Sequence, residues 1–235
     1  MRGLKSILYP KTCPACKIRL EETSNELVCR KCHTQIKMNL PPFCVLCGRH
    51  LEKKNPNKNI CPSCIRKKVH FDRAWSACVY EGVAKKLIHE FKYKGKSNLA
   101  KPLSQIMINF IREYSLPLDD LDLIIPIPLH KTKLREREFN QAERLSMYIA
   151  EEFKKATLPE LLIRTRPTKS QTGLKDKERA KNVRDSFRVN KETLLKNKNL
   201  LLIDDVLTTG ATSSEASLEL KNSGAQAVFV LTLAN

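Results

Sequence analysis

Apolar and polar positions follow two alternating patterns from Phe71 to the end of the chain. Short, almost continuous apolar runs predict strands buried on both faces, whereas apolar positions three or four residues apart predict amphipathic helices. The expected strands cover 74–80, 121–129, 160–164, 186–190, 199–203 and 227–233. The expected helices cover 83–91, 99–114, 140–155 and a segment that follows residue 203 and ends near 222. This alternation predicts an α/β fold in which flanking helices cover a parallel sheet.

The first 70 residues differ from the rest of the chain in composition and pattern. They contain few apolar residues that could build a core, and prolines and asparagines interrupt them at 41–42 and 55–57. Four Cys-x-x-Cys pairs lie in this stretch. We therefore expect a small N-terminal domain over 1–70 and a larger α/β domain over 71–235, since a chain of 235 residues typically forms one or two domains.

The composition is that of a globular protein, with 41% hydrophobic and 29% charged residues. No apolar run approaches the ~20 residues that span a bilayer, and the first residues do not resemble a signal peptide. A membrane or secreted protein is therefore not expected, and the expected location is the cytoplasm.

The paired cysteines predict zinc. Without an export signal, Cys-x-x-Cys pairs indicate a metal site rather than disulfides, because the two-residue gap lets both thiolates reach one ion. Similar gaps in the two halves suggest a duplicated ribbon that holds two structural zinc ions. The two ligand sets are Cys13, Cys16, Cys29 and Cys32, and Cys44, Cys47, Cys61 and Cys64. A cross-braced arrangement, which joins the first pair to the third and the second to the fourth, stays open because it has the same spacing.

The charge adds an expectation about partners. The chain has 43 Lys and Arg residues against 25 Asp and Glu residues, a formal net charge of +18. It remains strongly basic after zinc-bound thiolates are counted, so a polyanionic or phosphorylated partner is expected. Residues 1–70 hold 15 of the basic and 4 of the acidic residues. The ribbon therefore either binds nucleic acid or is a solubilised scaffold that docks the second domain or another protein.

The segment 201–213, Leu-Leu-Ile-Asp-Asp-Val-Leu-Thr-Thr-Gly-Ala-Thr-Ser, predicts a ligand site. The pattern predicts a strand, two acids, a tight loop and the start of a helix. Backbone N–H groups and threonine hydroxyls of the loop and the first helical turn can bind a phosphate. Asp204 and Asp205 would accept hydrogen bonds from ribose hydroxyls at the carboxyl edge of the sheet. The candidate phosphate-binding residues are Thr208, Thr209, Gly210, Ala211 and Thr212. The alternatives are a Walker B strand, which the lack of a P-loop sequence disfavours, and a simple helix cap.

This segment resembles the 13-residue phosphoribosyl pyrophosphate (PRPP) signature of type I phosphoribosyltransferases. Together with the cysteine pairs, it resembles the ComF family of competence-associated proteins, in which a double zinc ribbon precedes such a domain. Three further segments match, namely 125–130, 137–141 and 171–174 followed by Arg179 and Asn182. One position departs from the family pattern, because Glu138 stands where the family usually has glycine.

The resemblance implies roles for particular residues, with Asp204 and Asp205 as the catalytic acids and PRPP arriving with magnesium. The loop that binds pyrophosphate would comprise Pro128, Leu129, His130 and Lys131, followed by Arg137 and Gln141. The hood loop over the substrate would span 166–182 and include Gln171, Arg179 and Asn182. The basic segment 131–137 also fits a solvated helix start, and the basic hood also fits a nucleic acid backbone. Residues 92–95, Lys-Tyr-Lys-Gly, resemble a family segment to which no role is assigned.

Two functions fit these features. The favoured one is a ComF-type protein of DNA uptake and natural transformation that binds PRPP with magnesium and single-stranded DNA. The resemblance implies other competence proteins as partners, such as helicase-like uptake and strand-handling factors, and no insertion into the membrane. The alternative is an active phosphoribosyltransferase in which an unidentified acceptor displaces pyrophosphate at the anomeric carbon of the ribose.

Overall fold

The computed structural model describes residues 10–21, 26–52, 59–167, 176–190 and 194–235. The helices are α1 (Arg30–Thr34), α2 (Pro62–Ile65), α3 (Gly82–Tyr93), α4 (Ala100–Glu113), α5 (Lys131–Arg137), α6 (Gln141–Phe153), α7 (Asp176–Val183) and α8 (Ala211–Asn222). The strands are β1 (Arg73–Cys78), β2 (Leu123–Pro126), β3 (Ala156–Thr157), β4 (Leu162–Arg164), β5 (Phe187–Val189), β6 (Asn199–Val206) and β7 (Ala227–Ala234). Of the helices in these ranges, none combines the length and apolar character needed to cross a membrane.

The main sheet is parallel and has the strand order β1-β7-β6-β2-β3. Strands β4 and β5 form a separate antiparallel pair. Alternate side chains of the central strand β6 enter different cores, because Leu201 and Ile203 belong to one apolar cluster and Leu200 and Leu202 to another. Burial on both faces explains why these strands are apolar runs. The predicted α/β class with flanking helices is confirmed.

Several elements of the structure differ from the sequence-based prediction, as the following examples show. The apolar run 121–129 forms a strand only at Leu123–Pro126, since the two prolines in it cannot donate hydrogen bonds to a neighbouring strand. Helix α5 occupies the basic segment 131–137. Helix α7 lies within the expected hood loop, where alternating charges give no amphipathic signal.

The cysteine-rich region packs along the outer edge of β1. The backbone N–H of Asn39 donates to the carbonyl of Ala77 at 3.0 Å, and the N–H of Ala74 donates to the carbonyl of Leu46 at 2.7 Å. The side-chain amide of Asn39 also donates to the carbonyl of Ser76 at 2.9 Å. These bonds satisfy backbone groups that an edge strand would otherwise expose. Buried ribbon residues such as Ile36 join the same apolar cluster as helices α3 and α4.

Candidate functional site

Both cysteine sets bring their sulfur atoms together. In each set the four sulfur atoms lie within 4.8 Å of one another. Two representative Sγ–Sγ separations, Cys16 to Cys29 and Cys47 to Cys61, are both 3.7 Å. Tetrahedral Zn–S bonds of about 2.3 Å place sulfur atoms about 3.8 Å apart, so both clusters fit a structural zinc ion. The pairing is sequential, and the cross-braced alternative is excluded.

The two zinc knuckles repeat one local structure. The N–H of Cys13 donates to the carbonyl of Ile18, and the N–H of Cys44 donates to the carbonyl of Arg49, each at 2.8 Å. The residue after the second cysteine has a left-handed backbone in both, with φ of 64° at Lys17 and 68° at Gly48. At Gly48 a Cβ atom would collide with the carbonyl oxygen of Ala74 in β1. The second knuckle therefore needs glycine to lie against the sheet.

The phosphate-loop motif joins the carboxyl end of β6 to the start of α8. Gly210 is the N-cap residue of α8, has a left-handed backbone (φ 77°), and provides no side-chain cap. The hydroxyl of Thr209 instead accepts a hydrogen bond from the N–H of Ala211 at 3.3 Å. A loop that enters a helix without a side-chain cap at the N-cap position favours an anion there, because the first N–H groups of the helix point toward it.

Asp204 and Asp205 lie directly before this loop. Asp205 is buried (7% exposed). Its carboxylate forms an ion pair with Lys92 Nζ at 2.7 Å. The N–H of Asp205 donates to the carboxylate of Asp204 at 2.8 Å. Burial, and then the charge of Asp205, raise the pKa of Asp204 to about 7. Burial lowers the pKa of Lys92, but the carboxylates of Asp205 and Asp204 together raise it more, so the lysine stays charged.

Basic side chains surround the acid pair. Lys133 is half-buried, and burial followed by the charges of Arg164 and Arg137 lowers its pKa. The Arg137 guanidinium lies 5.0 Å from the centre of the Tyr93 ring and donates to the side chain of Gln141 at 3.0 Å. The guanidinium of Arg164 lies over the ring of Phe187 in β5. Burial lowers the pKa of Arg164, and the charge of Asp204 opposes part of that decrease. The site therefore combines two acids with a cationic wall.

Known proteins match both parts of this structure. A family model described as a double zinc ribbon domain matches residues 4–65. "Competence protein F" of Haemophilus influenzae is 28% identical over 230 residues, which cover 94% of this chain and 96% of that protein. "Competence protein ComFC" of Bacillus subtilis is 28% identical over 195 residues, which cover 80% and 75%. The chain is therefore similar over most of its length to competence proteins of the ComF type.

Other proteins that are similar to this chain carry a different name. "DNA utilization protein YhgH" of Escherichia coli K12 is 28% identical over 233 residues, covering 97% of this chain and 98% of that protein. Among solved structures, a glutamine PRPP amidotransferase from B. subtilis matches with a TM-score of 0.38 and 18% identity over 61% of this chain. The matched part spans 30% of the length of that enzyme chain.

The structure places the segment predicted to be the pyrophosphate loop beside the acid pair. Strand β2 lies next to β6, and the N–H of Ile127 donates to the carbonyl of Ile203 at 2.9 Å. After the buried Pro128 and the half-buried Leu129, His130 Nδ1 accepts a hydrogen bond from the N–H of Thr132 at 3.3 Å and so caps α5. The segment therefore starts a helix, as the alternative interpretation predicted, and its assignment to pyrophosphate stays a prediction.

The remaining predicted site residues have different environments. The side chains of Arg137 and Gln141 contact each other, whereas Lys131 is exposed. Asn182 is half-buried in α7. Gln171 lies outside the described residues, as does the side chain of Arg179. The hood assignments stay predictions.

Glu138 has the backbone conformation that favours glycine. It ends α5 with φ of 66° and ψ of −17°, in the left-handed region. Residues other than glycine are strained there because Cβ approaches the following carbonyl oxygen. The turn is therefore kept without the glycine that the family usually has.

Two cations of the site are not predicted from the sequence. Lys92 belongs to the 92–95 segment, which resembles a family segment without an assigned role. Arg164 ends β4 and had no signal beyond its charge. Both reach the acid pair only because separate elements converge at the carboxyl edge of the sheet.

Proposed function

We propose that this chain is a ComF-type protein that acts in DNA uptake and binds PRPP with magnesium at the carboxyl edge of its sheet. The observation that carries the proposal is the acid pair Asp204 and Asp205, which lies between the phosphate loop, whose N-cap residue has no capping side chain, and a group of basic side chains.

The parts of the site correspond to the parts of PRPP. The loop 208–212 suits the 5′-phosphate, because a helix N-terminus offers backbone N–H donors. The carboxylates of Asp204 and Asp205 suit the ribose hydroxyls, which donate hydrogen bonds to them. The grouped charges of Lys133, Arg137 and Arg164 suit the pyrophosphate. Magnesium would enter as part of the substrate and neutralise part of the pyrophosphate charge.

Names of relatives and the charge of the chain support the DNA-uptake role. The relatives are called competence and DNA utilization proteins. A formal net charge of +18 favours a polyanion such as single-stranded DNA. We propose single-stranded DNA and other competence proteins as partners. Anisotropy of a labelled oligonucleotide tests the first of these, since binding should weaken steeply as salt increases. Binding that does not change with salt would contradict it.

Calorimetric titration of PRPP with Mg²⁺ into the zinc-loaded protein tests the pocket. Asp205→Asn should weaken binding about tenfold or more, because a hydrogen bond to a buried carboxylate is lost. Asp119→Asn is the matched control, since this exposed residue precedes β2 at the opposite edge of the sheet. Equal binding by wild type and Asp205→Asn would refute the ribose assignment.

The pKa of Asp204 gives a second readout. Since this pKa is raised to about 7 and the ligand favours the ionised carboxylate, binding should strengthen by up to about tenfold from pH 6 to pH 8. Asp204→Asn should remove that part of the pH dependence.

The cationic wall also favours the alternative function, transfer of the phosphoribosyl group. When pyrophosphate leaves, the oxygen that was bonded to the anomeric carbon gains negative charge. Cations that are already in place stabilise this charge without reorganisation. Pyrophosphate release from PRPP, measured with free bases, nucleotides, ammonia and nucleic acid ends as acceptors, tests this activity. PRPP binding without release in any of these reactions would leave binding as the function.

A further inference from the structure

An open cleft of about 390 Å³ separates the second zinc ribbon from the phosphate loop. The loop contributes Thr208 and Thr209 to its lining. The ribbon contributes Arg49, Ser63 and Lys67 to the opposite wall. Two basic side chains and a hydroxyl therefore face the same space as the loop, and the described lining residues include no acidic side chain.

We propose that the second ribbon completes the phosphate end of the pocket, with Arg49 and Lys67 contributing positive charge to a phosphomonoester held by the loop. The inference rests on the proposed phosphoribosyl site and deepens it. It makes the ribbon part of the ligand site.

Both walls of the cleft are held in place. Gly48, next to Arg49, lies against the backbone of Ala74 in β1, and the adjoining loop accepts a hydrogen bond from the N–H of Ala74. On the other side, the N–H of His70 donates to the hydroxyl of Ser214 at 3.0 Å, which ties the chain after the ribbon to the first turn of α8. Arg49 therefore starts from a fixed backbone position, which reduces the entropy lost when a ligand binds.

The duplication within the ribbon shows that these cations are particular to the second copy. Arg49 follows Cys47 by two residues, and the matching residue after Cys16 is Ile18. Lys67 follows Cys64 by three residues, and the matching residue after Cys32 is Gln35. The copy that faces the loop has two cations at positions where the other copy has neutral side chains.

Asn235 also belongs to the lining of the cleft. Its side-chain nitrogen is buried and has no hydrogen-bond acceptor among the residues that the structure describes. Because this atom has no surface open to the cleft, the inference depends on Arg49, Lys67 and the loop.

The test compares ligands that carry different phosphates. Arg49→Gln should weaken ribose 5-phosphate binding about tenfold, the usual effect of losing one charge-assisted hydrogen bond, and should leave pyrophosphate binding within about twofold. Arg49→Lys should restore part of the affinity because the charge is kept. Arg30→Gln is the matched control, because Arg30 is an exposed arginine of the first ribbon. Zinc content, measured for each variant, establishes that the ribbon is intact.

The outcomes separate this inference from the proposed function. If Arg49→Gln binds ribose 5-phosphate like wild type while Asp205→Asn does not, the inference is wrong and the phosphoribosyl site stands. If Arg49→Gln weakened pyrophosphate binding as much as ribose 5-phosphate binding, the inference would also be wrong, because the lost charge would then act on any anion and not on the phosphomonoester in particular. If wild type binds inorganic phosphate through Arg49 but no phosphoribosyl ligand, the proposed function is wrong and the phosphate site stands. If wild type binds none of these ligands, both are wrong.

Discussion

The ion pair between Lys92 and Asp205 should stabilise the fold as well as the pocket. Its atoms are 2.7 Å apart, and the two side chains are only 16% and 10% exposed. Removing one partner of a fully buried pair costs about 3–5 kcal/mol. Here other cations remain nearby and some water reaches the pair. We therefore expect Lys92→Met to lower the free energy of unfolding by about 2–3 kcal/mol at pH 8.

The penalty should depend on pH. In wild type the pKa of Asp204 is raised from 3.8 to about 7 by burial and by Asp205, and Lys92 opposes this rise. Without Lys92 the pKa of Asp204 rises further. A carboxyl whose pKa is higher in the folded state loses stability as the pH increases between its unfolded and folded values. The penalty should therefore shrink to about 1 kcal/mol at pH 5.5, where a proton replaces the missing charge.

Urea unfolding measures this penalty through the fluorescence of Trp75, the single tryptophan, whose ring stacks on Phe229. Lys94→Met is the control, because this lysine of the same segment is exposed and its loss should change stability by less than about 0.5 kcal/mol. A double-mutant cycle with Asp205→Asn should give a coupling energy above about 1 kcal/mol. A penalty for Lys92→Met that matches Lys94→Met, or that is the same at both pH values, would refute the reasoning.

Two further predictions concern the metal and the turn after α5. Removing zinc should unfold the ribbons, since structural zinc provides most of their folding free energy, while much of the parallel sheet persists. Hydrogen exchange should then increase at Asn39 and along β1, whose backbone bonds to the ribbon are lost; full protection after chelation would contradict this. Glu138→Gly should raise the free energy of unfolding by about 0.5–1 kcal/mol, because it relieves a left-handed backbone (φ 66°). Lys154→Gly, at φ 52°, should give a similar gain in the same urea assay, and no gain at either position would show that neither is strained. A change in pyrophosphate affinity is expected only at Glu138, which lies next to the pocket.

Local patterns were enough to predict the main elements. Apolar runs predicted the strands of the parallel sheet, because a strand covered on both faces must be apolar along its length. The spacing of the cysteines predicted two zinc ribbons, and the two acids before the threonine-rich loop predicted a ligand site. Each of these signals lies within a short stretch of chain. The domain boundary near residue 70 stays a prediction.

The tertiary structure decided how these parts meet. Sequential rather than cross-braced zinc pairing depends on where the cysteine turns fold back. The contact of Lys92 with Asp205 depends on α3 ending at the carboxyl edge of the sheet, and the grouping of Arg164 with Arg137 depends on the position of β4. The cleft beside Arg49 exists only because the ribbon pairs with the edge of β1. Periodicity and spacing specify local conformation, but contacts between distant side chains follow from strand order and packing.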